Sequence, residues 1–192
     1  MPATRLILVA AAFLAIGLAV GPALATGFGS IASGGSPASS VSLANNKWHY
    51  VYDAFMDDSI RTSLRWSRDN VYGTTDLDTY TGTFEVHDVV ATSGDYGVNG
   101  LVAWANCPGG ATVSGSHPNQ TCYGQSLAFN QNSTYSAYYD TENERRYVTC
   151  HELGHTVGLQ HQSTYTSCLN SGNYSITYIS SHEEDHINDY YE

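Results

Sequence analysis

The stretch HELGHTVGLQH, residues 151–161, decides how this part of the chain must fold. His151 and His155 are four residues apart, so on a helix they share one face, about one turn apart. A helix that continued would place His161 well off that face and roughly 15 Å further along the axis. The chain must therefore turn back. Gly158 is where it can do so, because glycine takes the left-handed conformation that ends helices.

This combination of three histidines and a glutamate is typical of a catalytic zinc site. Neutral imidazoles at His151, His155 and His161 leave one coordination position of the metal open to water, and zinc lowers the pKa of such water toward about 7. Glu152, next to the first histidine, is the candidate general base that moves the proton of this water to a leaving amine. The alternatives are a helix surface and a structural zinc site, which normally has four protein ligands and needs no such glutamate.

On these residues the chain resembles the metzincin metallopeptidases, whose signature is H-E-x-x-H-x-x-G-x-x-H, and most of all their matrixin-like branch. The resemblance implies that His151, His155 and His161 bind zinc, that Glu152 is the catalytic base and that Gly158 is the turn glycine. It also implies an α+β single domain. In that fold a twisted, mostly parallel sheet with one antiparallel edge strand lies over two long helices, and a C-terminal helix follows.

The resemblance has two further implications, for substrate binding and for the floor of the metal site. An extended peptide pairs with the antiparallel edge strand in this family, and residues 126–130 are the candidate strand. The family also places a methionine in a turn beneath the zinc, whereas the methionines of this chain are Met1 and Met56. Leu169, within the Ser-Cys-Leu-Asn of residues 167–170, takes that position, and leucine and methionine have similar volumes.

Residues 1–25 have the features of a signal peptide. Arg5 is positively charged, an uncharged apolar run follows, and the Ala-Leu-Ala of residues 23–25 is a suitable cleavage site. The alternative is an uncleaved membrane anchor, but the apolar run is short for a spanning helix. We therefore expect a secreted, extracellular protein. Residues 26–46, rich in Gly, Ser and Ala, are expected to be a flexible leader or short pro-segment, and residues 47–192 the catalytic domain.

Four cysteines, Cys107, Cys122, Cys150 and Cys168, are expected to form two disulfides in an exported chain. Four cysteines permit three pairings, and the sequence alone does not choose among them. We favour Cys107–Cys122 and Cys150–Cys168, because both close short loops worth roughly 3 kcal/mol each in the chain-entropy model. Metal binding by some cysteines is the alternative, although their spacings resemble no zinc-ribbon pattern.

The remaining patterns predict strands first and helices later, which indicates an α+β domain. Strands are predicted at residues 47–52, 79–90, 100–105 and 123–130, and residues 107–122 are predicted to be a disulfide-closed loop. Helices are predicted from Asp57 or Asp58 to about Gly73, from about Thr141 to Val157, and from Ser180 to Tyr191, where Ser180 and Glu183 form a capping-box signature.

The charge of the chain restricts its partners. It has 7 Lys and Arg against 18 Asp and Glu, a formal net charge of −11. Because nothing basic is clustered to meet phosphates, a nucleic-acid partner is not expected. No segment after the signal peptide is apolar enough to span a bilayer, so no membrane is expected in the mature form. The expected partner is a protein or peptide substrate, and the expected state is a monomer.

Other potential metal ligands have no diagnostic spacing. The acidic residues 76–78 could bind Ca²⁺, and His49, His87 and His117 could bind a second metal, as accessory sites do in matrixins. Solvated surface is the favoured interpretation of all of them. A His-x-x-x-His pair in the last predicted helix, residues 182–186, lacks a third partner in sequence and is interpreted as surface or packing.

The leading hypothesis is a secreted zinc-dependent endopeptidase, which hydrolyses peptide bonds of extended polypeptides through a zinc-bound water activated by Glu152. The alternative from another class is a zinc-binding recognition module with weak catalysis. Glu152 favours the enzyme, and Leu169 is the feature that favours the module. A third hypothesis is hydrolysis of a narrow set of peptides, such as cell-wall or signalling peptides.

Overall fold

The computed structural model describes residues 41–108, 111–113, 120–170 and 174–192 of the 192-residue chain. The predicted signal peptide and most of the predicted leader lie outside these residues, and both stay predictions. The last residues of the predicted leader are described: Leu43–Ala44 form strand β1, and both side chains are buried. No helix within the described ranges is long and apolar enough to cross a membrane.

A five-stranded sheet forms the centre of the fold. Its strands are β2 (Trp48–Phe55), β3 (Asp78–Thr81), β4 (Val89–Gly94), β5 (Ala103–Asn106) and β8 (Gln125–Asn130). They lie in the order β3-β2-β4-β8-β5, and every pair is parallel except β5 with β8. A second, small sheet has the order β1-β7-β6, with β6 at Ala111–Val113 and β7 at Gln120–Cys122. The predicted α+β class and the mostly parallel sheet with one antiparallel edge strand are confirmed.

Three α-helices complete the described part of the fold, and each is capped by a side chain at its start. They are α1 (Asp58–Asn70), α2 (Glu142–His155) and α3 (Ser181–Tyr191). Asp57 caps α1 by accepting from the backbone N–H of Ser59. Full capping boxes open α2, with Thr141 and Glu144, and α3, with Ser180 and Glu183. The cap predicted for the last helix is therefore confirmed.

The hydrophobic core lies between the sheet and the helices. The inward side of the sheet contributes Val51, Val89, Ala91, Leu127 and Phe129, and the helices contribute Ile60, Leu64 and Leu153, all at most 1% exposed. α1 and α2 also bond to each other inside the fold, since Ser67 Oγ lies 2.9 Å from Thr149 Oγ1. This packing fixes the position of α2, which carries the first two histidines of the motif.

The segment predicted as one strand at residues 79–90 is two strands with a loop between them. The loop opens at Gly82, whose N–H donates to the carbonyl of Val51. A Cβ at this glycine would lie 3.0 Å from the Val86 carbonyl oxygen, so a larger residue would displace the loop. The β-branched and aromatic composition correctly indicates strands at both ends of the segment. It does not reveal the turn, because turn-forming contacts to β2 are not local in sequence.

The prediction that residues 126–130 form the antiparallel edge strand is wrong. They belong to β8, which lies between β4 and β5. Five of the six residues of β8 are buried, as expected for a strand with neighbours on both sides, whereas β5 alternates between buried and partly exposed side chains. The antiparallel edge strand is therefore β5. The predicted loop at residues 107–122 likewise contains β6 and β7, which pair as an antiparallel hairpin.

Candidate metal centre

The chain reverses direction directly after α2, as the glycine in the motif predicts. The helix ends at His155, and the N–H of Leu159 then donates to the Gly154 carbonyl at 2.9 Å. Gly158 has a φ of 100°, in the left-handed region that residues with a side chain rarely adopt. This reversal returns His161 to the side of α2 on which the other two histidines lie.

The structure brings His151, His155 and His161 together, and we call them the histidine triad. Nε2 of His161 lies 2.8 Å from Nε2 of His151 and 3.2 Å from Nε2 of His155. One potential ligand atom from each ring falls within 4.8 Å of the others, so the group could hold a metal ion. His151 and His155 are buried and His161 is half-buried, which leaves one side of the group nearer to solvent.

Two backbone carbonyls fix how the triad presents its nitrogens. Nδ1 of His151 lies 2.8 Å from the carbonyl oxygen of Cys168, and Nδ1 of His155 lies 2.7 Å from that of Leu159. Because a carbonyl only accepts, each Nδ1 donates and each Nε2 keeps a lone pair directed at His161. A single proton on His161 cannot satisfy both lone pairs at once. A shared cation can, and carbonyl-oriented imidazoles are the usual second layer of metal sites.

The electrostatic surroundings keep the triad neutral. Burial and, to a smaller extent, the neighbouring His161 lower the pKa of His151 to about 4, and the hydrogen bond to the Cys168 carbonyl opposes this fall. Burial, His151 and His161 together lower the pKa of His155 well below its ordinary value. Burial also lowers the pKa of His161. Neutral imidazole is the form that binds a metal, so the triad is ready to coordinate at neutral pH.

Glu152 follows His151 on α2, and its carboxyl is buried with one oxygen held by a hydrogen bond. It accepts a hydrogen bond from the backbone N–H of Ala105 in β5. Its Oε2 is buried and has no hydrogen-bond partner among the described residues. Burial raises the pKa of Glu152 to about 8, and the bond from Ala105 opposes this rise. A buried carboxyl with an unpartnered oxygen and a raised pKa is typical of functional sites.

A turn held by a disulfide lies beneath the triad. Cys150 and Cys168 are bonded, as are Cys107 and Cys122, so the favoured pairing is confirmed. In the turn at residues 167–170 the N–H of Leu169 donates to Ser167 Oγ, and the Leu169 side chain is fully buried. A Cβ on Gly154, within α2, would lie 3.2 and 3.3 Å from the two methyl carbons of Leu169. Leu169 therefore packs directly against α2 at Gly154, between His151 and His155.

The accessory residues do not join the triad. His49 is buried, which corrects its interpretation as solvated surface: it points inward from β2, and its Nε2 lies 2.9 Å from Thr156 Oγ1. His87 is half-buried in the loop before β4, and Asp76 is exposed. His117 lies outside the described residues. Within the part of the chain that the structure describes, the triad is the one group of three or more His, Cys, Asp or Glu that could hold a metal.

The contributions that sequence reasoning misses are made by the backbone. The carbonyls of Leu159 and Cys168 orient two rings, and the N–H of Ala105 holds Glu152. Any residue type supplies these groups, so no side-chain pattern marks them. Of these three groups, only the Leu159 carbonyl lies inside the motif, so its contact with His155 could have been inferred from the sequence.

No known family model matches the chain, and no curated protein is detectably similar to it. The chain is thus described by its own structure, as an α+β domain with two disulfides and a largely buried histidine triad that could hold a metal ion.

Proposed function

We propose that this protein is an exported zinc-dependent endopeptidase that hydrolyses peptide bonds of extended polypeptides. The observation that carries the proposal is the convergence of three imidazole Nε2 atoms, together with the buried, unpartnered oxygen of Glu152 on the residue next to His151. The spacing of the motif and the left-handed Gly158 support a relation to the matrixin-like metzincins. A purely structural zinc site normally has four protein ligands and would leave the buried carboxyl of Glu152 without a role.

The triad fits zinc by its donor set. Three nitrogen ligands are common in catalytic zinc sites, where the remaining position is left to water, whereas structural sites use four protein ligands. When bound, zinc supplies Lewis-acid activation of a water and of the scissile carbonyl. His151, His155 and His161 would hold the ion. The carbonyls of Cys168 and Leu159 keep the Nε2 atoms of the first two rings unprotonated and correctly aimed.

Glu152 is the residue that moves protons in this proposal. Its Oε2 accepts a proton from the attacking water, and the hydrogen bond from Ala105 holds the carboxyl in place. The hydroxide adds to the carbonyl carbon, and Glu152 then gives the proton to the amine nitrogen as the C–N bond breaks. A raised pKa suits both halves of this task, because a base near the working pH accepts and releases a proton with similar ease.

The edge strand β5 is the proposed place for the substrate backbone. It pairs with β8 on one side only in the described sheet. It also reaches the site directly, since Ala105 bonds to Glu152. An extended peptide that adds to a free strand edge gains backbone hydrogen bonds irrespective of its sequence. Such pairing would place a peptide bond of the substrate beside the triad.

The test compares the purified protein with Glu152→Gln on unfolded casein, with zinc content measured in both after dialysis. We expect tightly bound zinc in both and cleavage slowed by about 10²–10⁴-fold in the variant, the usual contribution of a general base. Glu142→Gln, on the exposed start of the same helix, is the matched control and keeps full cleavage. Absence of zinc from the wild-type protein would contradict the proposal.

The recognition module stays the alternative function, since it needs the triad but not Glu152. Zinc in both proteins with cleavage by neither would favour it, or an enzyme with a narrow set of peptides. Profiling with a peptide library separates these two, because only the enzyme would cleave any library member in a Glu152-dependent way.

A further inference from the structure

A second pair of histidines in the molecule has the same local geometry as two members of the triad. His182 and His186 lie one turn apart on α3, as His151 and His155 do on α2. Their Nε2 atoms are 3.1 Å apart, and their ring centroids are 4.4 Å apart with the planes at 72°. For His151 and His155 the centroid distance is 4.7 Å and the angle 84°. The two pairs are therefore arranged alike.

The distance between the two nitrogens fits one shared metal ion. Zn–N bonds of about 2.0–2.1 Å in a tetrahedral site place two nitrogen ligands about 3.3 Å apart. The 3.1 Å between His182 and His186 is close to this value, and it lies inside the range of 2.8 to 3.2 Å found in the triad. A single proton shared between two neutral rings would give a similar separation, and this is the competing explanation that an experiment must exclude.

The surroundings of the pair give access from solvent and a link to the first site. His186 is buried, whereas His182 is half-buried at the start of α3. The ring of Tyr165 packs on His182 with centroids 4.6 Å apart. Tyr165 belongs to the loop that leaves His161, and Gln162 organises this loop by accepting from the Tyr165 N–H at 2.7 Å. The pair therefore lies against the segment that follows the third triad histidine.

We propose that His182 and His186 form a second metal site, for one divalent transition-metal ion of the kind that prefers imidazole, such as Zn²⁺. No third His, Cys, Asp or Glu in the described ranges completes a cluster with them, and we expect water at the remaining positions. With two protein ligands instead of three, this site binds its ion more weakly than the triad does. The proposal does not depend on the peptidase activity.

The test is a calorimetric titration of the metal-stripped protein with Zn²⁺ at pH 7.5. We expect two ions per chain, one tight and one weaker. His182→Asn removes the weaker ion and keeps the tight one, and it is tolerable because this side chain is half-buried. His87→Asn, on the loop before β4, is the matched control and binds two ions. His161→Asn weakens the tight site and keeps the weaker one, which separates this proposal from the proposed function.

A second measurement locates the weaker ion. In the ¹⁵N spectrum of the imidazole rings, we expect the second equivalent of Zn²⁺ to shift the signals of His182 and His186. Binding of one ion by the wild-type protein would overturn the proposal, and so would binding of two unchanged ions by His182→Asn. A second equivalent that shifts another histidine instead would overturn it as well. His186→Gln serves as a repeat at the other ligand if it folds.

Discussion

The two disulfides span similar lengths of chain but lie in very different parts of the molecule. Cys150–Cys168, with a sequence separation of 18, encloses the whole triad, and both of its cysteines are fully buried. Cys107–Cys122, with a separation of 15, closes the hairpin of β6 and β7 in the small second sheet. We call these regions the triad loop and the hairpin loop. Loop-closure entropy predicts nearly equal stabilisation by the two bridges, whereas the contacts around the two bridges differ.

The triad loop couples its disulfide to the histidine triad. The carbonyl of Cys168 accepts from His151 Nδ1, and the carbonyl of Cys150 accepts from the Tyr72 hydroxyl at 2.7 Å. The hairpin loop has no described contact with any of the three histidines. The stability that a disulfide gives and the geometry that it imposes are therefore separate quantities. We expect the Cys107–Cys122 bridge to contribute the first alone and the Cys150–Cys168 bridge to contribute both.

Removal of each bridge tests this separation and has the largest expected effect. Cys150→Ala/Cys168→Ala and Cys107→Ala/Cys122→Ala should each lower the free energy of unfolding by about 2–4 kcal/mol. Only the first pair should also weaken zinc binding, by about 10–100-fold, the usual effect of disturbing the groups that orient ligands. Urea unfolding of the metal-free proteins gives the first quantity, and competition with a chelating dye gives the second. Equal loss of zinc affinity in both variants would contradict the comparison.

The sequence predicts most of the triad loop because its requirements are local. The ligand spacing, the reversing Gly158 and the capping of the helices depend on residues within a few positions of one another. Even the Cys150–Cys168 pairing follows from the preference for short loops. The features that sequence reasoning misses depend on contacts between segments that are distant in sequence. Nothing near β5 in sequence shows that it is the edge strand or that its Ala105 holds Glu152, because those facts depend on the strand order.

The burial of His49 is another non-local fact, and it predicts a pH dependence. Burial lowers the pKa of His49 from 6.5 to about 4, and its Nδ1 has no partner among the described residues. Above pH 6.5 the ring is neutral in both the folded and the unfolded state, so its titration does not affect the free energy of unfolding. Between 6.5 and about 4 the unfolded chain binds the proton more readily, so the free energy of unfolding falls as the pH falls, by up to roughly 3 kcal/mol.

Substitution of His49 tests whether its ring makes the triad loop, which it contacts at Thr156, sensitive to acid. His49→Gln keeps a polar atom for Thr156 and cannot titrate. We expect its stability to fall less than that of the wild-type protein between pH 6.5 and 4, in urea unfolding with a chelator present. Val51→Ala on the same strand is the control, since it removes buried apolar volume and keeps the wild-type pH dependence. Parallel curves for wild type and His49→Gln would contradict the prediction.

A pair of glycine substitutions compares the packing of the two loops, with a smaller expected effect. A Cβ at Gly154 would lie 2.6 Å from the Tyr72 hydroxyl oxygen and against Leu169. A Cβ at Gly124, which follows the hairpin loop, would meet nothing within 4 Å. Although alanine is the better helix former, overpacking should make Gly154→Ala less stable by roughly 1–2 kcal/mol. Gly124→Ala should stay within about 0.5 kcal/mol of wild type. Thermal unfolding measures both, and two equal shifts would argue against tight packing under the triad.

The smallest effect is expected from Leu169→Met, which installs the residue that the matrixin-like enzymes have beneath the zinc. Leu169 is fully buried against Gly154, so it acts by filling volume, and methionine fills nearly the same volume. We expect the free energy of unfolding to change by less than about 1.5 kcal/mol and zinc affinity to stay within a few-fold. Leu169→Ala leaves a cavity and should cost about 2–5 kcal/mol, with weaker zinc binding. If Leu169→Met instead changed zinc affinity as much as Leu169→Ala, the sulfur would matter in itself. The triad loop would then owe its ligand geometry to more than its packing and its disulfide.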